Sequence, residues 1–169
     1  MTALGDGNSD VGGGMDWFAV LLAITIAIRG LGAGLIYDVA LVSLPVRRCI
    51  GATAYARFAR ALFEGGGART YAPVAILGAL LTLAVAIAAM MRGEPRPVTW
   101  AAAFSVLATV IAFIGTLRAL PAMLNLRQAP DDEAGLEAIL DRFARWHGFS
   151  ALWQVIAFLA LVTALALRD

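Results

Sequence analysis

Lysine does not occur in this sequence, and cysteine and histidine occur once each, as Cys49 and His147. One cysteine cannot close an intrachain disulfide, and one histidine leaves no His/Cys cluster for zinc, iron–sulfur or bis-histidine haem ligation. No protein-built metal site is therefore expected. Charge is scarce as well, at 15% of residues, where an ordinary soluble domain carries about 25%. The 13 basic residues, all arginine, face 12 acidic ones for a net charge of +1, which excludes the basic surplus of a nucleic-acid binder. What the chain has in excess is apolar surface: 61% of its 169 residues are hydrophobic, more than one small water-soluble core can enclose.

That excess is gathered into four runs, Trp17 to Ile36 with an apolar continuation to Pro45, Tyr71 to Met91, Val98 to Leu120, and Gly148 to Leu167. Each is long enough, at about 1.5 Å per residue, to cross a hydrocarbon core of about 30 Å. The runs lack the period-two alternation of a membrane β-barrel. The expected fold is an all-α integral membrane protein: a four-transmembrane-helix bundle with an interfacial amphipathic helix and a cytoplasmic extension of the fourth helix. Residues 1–15 hold five glycines, two aspartates and no basic residue; they are expected to form a flexible tail that is retained in the mature chain, and 16–169 the single membrane domain.

The arginines orient the bundle. Nine lie in the segments joining spans one to two and three to four, against three on the opposite side (Arg92, Arg96 and Arg168). The positive-inside rule then places both termini outside the cytoplasm, in a bacterial inner membrane. In the first basic segment, Tyr55, Phe58, Ala59, Leu62 and Phe63 recur at helical spacing, the pattern of an interfacial helix, which Gly65-Gly66-Gly67 should end. In the second, Pro130-Asp131-Asp132-Glu133 suits a helix N-terminus, and the stripe from Leu136 to Trp146 runs without a strong breaker into the fourth span. Pro121 is expected to bend or end the third helix. No repeat of 20 to 50 residues is present, which weighs against a repeat-built transporter.

Polar residues inside the spans carry the functional signal. Arg29 lies about 18 Å into the first span, where a charge is costly and calls for a polar surrounding and a partner. Asp38, nine residues on, falls on the other side of the helix and is expected at the rim, paired with Arg47 or Arg48. His147, Ser150 and Gln154, spaced i, i+3 and i+7, line one face of the fourth helix, with Gln154 at the depth of Arg29. These residues outline a pocket in which His147 is the available base, or else a set of interhelical hydrogen bonds with no ligand, with His147 a belt residue beside Trp146 that fixes the depth of the helix. Asn125, beyond Pro121, either caps freed backbone groups or points into the pocket mouth. Tyr37 and Tyr55 suit the inner aromatic belt, Tyr37 at the pocket rim; Trp17 and Trp100 suit the outer one. Gly30 and Gly34 form a Gly-x-x-x-Gly pair suited to helix packing, and Ser105, Ala108, Thr109, Ala112 and Gly115 give the third span a small-residue face of the same kind.

The Gly-rich first span Gly30-Leu31-Gly32-Ala33-Gly34 followed by Pro45, the pair Pro121 and Asn125 after the third span, and Trp146-His147 at the entry to the fourth together resemble the anthrone oxygenase-like family of small four-helix membrane proteins. Many members carry an arginine three residues after the histidine, where this chain has Ser150. The resemblance implies cofactor-independent oxidation of a hydrophobic aromatic compound, with His147 as base and Arg29 and Gln154 holding the oxyanion. The competing reading is a non-catalytic accessory subunit of a larger membrane protein complex, to which small-residue faces and a helical stalk would also be suited. The expected partners are thus the lipid bilayer and either a hydrophobic small-molecule ligand or that larger complex.

Overall fold

In a computed structural model of the protein, which describes residues 16–168, every regular element is helical. The elements are α1 (Trp17–Asp38), a π-helical turn (Val39–Ser43), α2 (Leu44–Ile50), α3 (Ala52–Glu64), α4 (Gly67–Arg92), α5 (Arg96–Gln128) and α6 (Glu133–Ala166). Four helical stretches, beginning at Trp17, Arg69, Arg96 and Glu133, are long and apolar enough to cross a membrane, so the chain is an all-α four-helix membrane bundle. The glycine-rich tail of the sequence reading lies outside the described residues.

Proline explains where the helices depart from expectation. The first apolar run does not stop at Ile36 but stays helical to Ile50 by way of the π turn. Pro45 has no N–H, and its ring would clash with the carbonyl four residues back. Widening the helix just before it removes that conflict, and the Leu44 N–H bonds the Val39 carbonyl, five residues back. Pro121 neither ends α5 nor marks its boundary, since the helix continues to Gln128. The helix is held there by its neighbour: α5 presents a buried stripe from Val98 through Ala108, Ala112 and Ala119 to Leu126, spanning the proline, and packs along α6 on the residues of that stripe.

The two ends of the bundle are built differently. At the end where α1 begins and α6 finishes, Phe18, Leu22, Val85, Ala89, Val98, Ala102 and Leu161 form one packed core. A network of Asp16, Arg92, Glu94 and Arg168 ties the start of α1 and the end of α6 to the Gly93–Pro95 turn above it. At the opposite end, α3 packs its apolar face against α5 and α6 through Tyr55, Ala56, Ala59, Leu126, Leu136 and Leu140. Three latches hold α3 there. Glu133, at the start of α6, accepts the N–H groups of Ala52 and Thr53, two of the donors left open by the first turn of α3. Asp131 accepts from Arg57 and Arg60, and Arg60 also donates to the Leu126 and Ala129 carbonyls that end α5.

Candidate functional site in the bundle core

Between the two packed ends lies a cavity of about 540 Å³, bounded by α1, α4, α5 and α6 and floored by α3. A volume of this size suits a small organic ligand. Its walls are mainly apolar, with Ile28, Leu35, Phe63, Val74, Phe113, Met123 and Phe143 prominent, and its few polar groups are those of Arg29, Asp38, Ser43, Tyr55, Tyr71, Thr109, Thr116, His147 and Gln154.

Arg29 is 4% exposed. Its Nη2 donates to Thr109 Oγ1 at 3.0 Å, and the Thr109 hydroxyl in turn donates to the Ser105 carbonyl. Its Nε is buried without a partner, and the guanidinium forms no ion pair among the described residues. A buried cation left with one neutral acceptor has strong capacity for an anionic or carbonyl oxygen, because in low dielectric such a contact is poorly screened.

His147 takes a different position. Its Nε2 lies 3.3 Å from the Ile36 carbonyl, which sits just before the π turn, where the ordinary helical bonding changes register. The imidazole stacks on Phe143 at 4.8 Å between ring centroids. With Nε2 donating to Ile36, the other nitrogen, Nδ1, keeps its lone pair. Seven residues of α1 separate Arg29 from Ile36, about 10 Å along the axis. Arg29 and His147 therefore address the cavity at two levels of α1, and the buried Gln154 amide lines it as well.

The remaining residues singled out in the sequence are distributed as follows. Asp38 lines the exposed end of the cavity and accepts from Ser43 at 3.3 Å. Among the described residues it pairs with neither Arg47 nor Arg48; the continuous helix carries both past it, and Arg47 is drawn instead to Asp141 on α6. Ser150 is turned to α5, donating to the Ala112 carbonyl and sharing a 2.9 Å bond with Thr116; it holds helices together and does not line the cavity. Tyr37 is 50% exposed, and Asn125 is exposed with its carbonyl accepting from Ala129 within the end of α5; neither reaches the cavity wall. Gly30 does face a helix contact, since a Cβ there would stand 3.1 Å from the Phe158 ring, but around Gly34 no atom lies within 4 Å.

Three contributors escape a reading of the sequence. Thr109 stands there only as one of the small residues of α5, although its hydroxyl repeats Ser105 at i+4 in an apolar run, a spacing that signals a shared polar face. Tyr55 has the sequence character of a belt residue but is buried against the cavity floor. There burial pushes its phenol above the ordinary value, against the opposing charge of Arg47, so it stays a neutral hydroxyl. Gly78 carries no chemistry, yet leaves the space into which the Arg29 side chain folds. Comparison with protein-family models, with curated proteins and with solved structures finds no match to this chain.

Proposed function

We propose that this protein is a membrane enzyme that takes an enolisable, fused-ring aromatic ketone from the bilayer and oxidises it with dioxygen, using no cofactor. The observation that carries the reading is the buried Arg29 guanidinium, with an unpartnered Nε, in an apolar cavity that His147 also lines. The arginine excess supports an orientation with the α3 end on the cytoplasmic side of a bacterial inner membrane.

In this mechanism the ketone oxygen lies against Arg29 and Gln154, and an acidic ring methylene lies near His147. Nδ1 of the neutral imidazole removes a methylene proton, and the negative charge passes to the ketone oxygen, where the guanidinium and amide are already in place to stabilise it. The carbanion gives one electron to dioxygen, and the two radicals combine at carbon. The proton held by His147 returns to the peroxide, and loss of water across the remaining C–H bond and the O–O bond leaves a second carbonyl. In balance, one ring methylene and one molecule of dioxygen become one carbonyl and one molecule of water. One oxygen atom thus enters the quinone, the other leaves in water with both methylene hydrogens, and no outside reductant is needed.

The test is turnover of anthrone by the purified protein in lipid nanodiscs, following oxygen consumption and quinone formation together. The expected result is equal uptake of oxygen and release of quinone. It should fall by about 100-fold or more in His147→Gln and in Arg29→Gln. Wild-type protein that remains folded yet neither binds anthrone nor forms quinone above the protein-free rate would overturn the reading in favour of an accessory subunit.

A further inference from the structure

On the side of α6 facing away from the cavity, three arginines gather around one tryptophan. Arg142, Arg145, Trp146 and Phe149 fall at i, i+3, i+4 and i+7, one face of the helix, and line a surface notch. The cavity residues Leu140, Phe143 and His147 occupy the opposite face. From α5, Arg118 lays its guanidinium over the Trp146 ring, 5.4 Å from the centroid. Each of the three arginines is exposed. None forms an ion pair among the described residues, although Arg47, Arg57, Arg60, Arg92 and Arg168 all find carboxylates.

The notch continues into an aromatic ladder. Trp146 meets Phe149 edge-on at 6.1 Å, and Phe149 meets Trp153 at 6.3 Å. The ladder climbs α6 from the arginine cluster into the apolar part of the span. Phe149 is seated by Gly115 of α5, where even a Cβ would stand 2.9 Å from the ring. The surface thus has a polyvalent cationic head, a tryptophan, the residue type favoured at a membrane interface, and an apolar track leading along the span. A soluble anion would use only the head of this arrangement, whereas a lipid would use all of it.

We propose that this face is a binding site for an anionic phospholipid, with its phosphodiester held by Arg118, Arg142 and Arg145 beside Trp146 and an acyl chain lying along Trp146, Phe149 and Trp153. Arginine suits the phosphate because its planar fork can present two N–H donors to two oxygens, and the Arg118–Trp146 stack fixes one guanidinium in place. The site is independent of the cavity chemistry, being on the other side of the helix. Its effect is to hold α5 and α6 at a defined depth and to couple the bundle to the charge of the surrounding lipid.

The experiment uses the full chain carrying Trp17→Phe and Trp100→Phe, so that fluorescence comes from Trp146 and Trp153, reconstituted in phosphatidylcholine vesicles. Brominated phosphatidylglycerol is added as a minor component and compared with the same fraction of brominated phosphatidylcholine. The expected result is stronger quenching by the anionic lipid, with the apparent affinity falling about fivefold for each of Arg118→Gln, Arg142→Gln and Arg145→Gln. Arg142→Lys should retain part of it. Equal quenching by the two lipids in the parent protein would overturn the proposal. So would loss of the excess on adding millimolar inorganic phosphate at constant ionic strength, which would identify free phosphate as the ligand. Arg48→Gln, on the opposite basic segment, should leave the excess unchanged; a loss there equal to that of Arg142→Gln would reduce the effect to general surface charge and overturn it too.

Discussion

Gly78 of α4 stands directly against the Arg29 side chain of α1: a Cβ at position 78 would lie 3.1 Å from Arg29 Cδ and 3.8 Å from Nη1. The guanidinium reaches Thr109 across the bundle because α4 has no side chain at that point. Gly78→Ala should therefore shift Arg29 by a few tenths of an ångström while gaining about 0.5–1 kcal/mol of helix propensity, leaving thermal stability near that of the parent. Ligand binding in the cavity should weaken several-fold. Melting in detergent alongside a ligand titration separates the two effects, and unchanged affinity would mean that Gly78 does not place Arg29.

The hydroxyl that receives Arg29 can be removed without changing shape. Among the described residues, Thr109 is the one acceptor bonded to this buried cation; Thr109→Val deletes it, and about 1–2 kcal/mol of stability should be lost. Thr109→Ser should recover most of it. An added ligand with an anionic oxygen should stabilise the valine variant by more than the parent, because in the variant it supplies the partner that the protein lacks. Unfolding in mixed micelles with and without ligand measures both quantities, and a valine variant as stable as the parent would show that the bond contributes nothing.

Helix contact in this bundle depends more on Gly115 than on the Gly30 and Gly34 pair. A Cβ at 115 would come within 2.9 Å of the Phe149 ring and 3.2 Å of the Ser150 backbone nitrogen, so Gly115→Ala presses on a ring and on main chain together. Overpacking of that kind costs about 1–3 kcal/mol. Gly34→Ala meets nothing and should be neutral or slightly stabilising. Paired unfolding measurements on the two variants check the ranking.

How far the sequence anticipates this structure depends on whether the signal is local. Length and hydropathy mark the four spans, and the period of Tyr55, Ala59 and Phe63 marks α3, because each property belongs to one helix and its solvent. The continuation of α1 past Asp38 is not legible: it depends on a π turn that accommodates Pro45, and no residue pattern distinguishes that outcome from a break. Asp38 and Arg47 then fail to meet for the same reason. In the cavity, Arg29, Gln154 and His147 are legible as polar groups in apolar runs. Thr109 and Gly78 become visible only when α4 and α5 are set against α1, since their contribution is made across helices. Ser150 shares a helical face with Gln154 in sequence, but the close approach of α5 at Gly115 turns it away from the cavity.

The attachment of α3 should be lost in acid, and the direction follows from Asp131. Hydrogen bonds from Arg57 and Arg60, reinforced by their charges, hold its carboxyl below the ordinary value in spite of some desolvation. A carboxylate with a lower pKa in the folded than in the unfolded chain adds stability that is complete above the unfolded value of about 3.9 and disappears as pH falls through the lower, folded one. Protection of α3 amides against hydrogen exchange should accordingly be constant from neutral pH down to about pH 4 and then drop. Glu133 holds the first turn of the same helix and titrates in the same acidic range, so the informative quantity is the difference between the parent and Asp131→Asn. That difference should be present at neutral pH, where only the parent keeps both charged bonds, and should close as the parent's Asp131 takes up its proton. The absence of any difference between the two proteins, at neutral pH as in acid, would mean that Arg60 holds α3 through the Leu126 and Ala129 carbonyls alone.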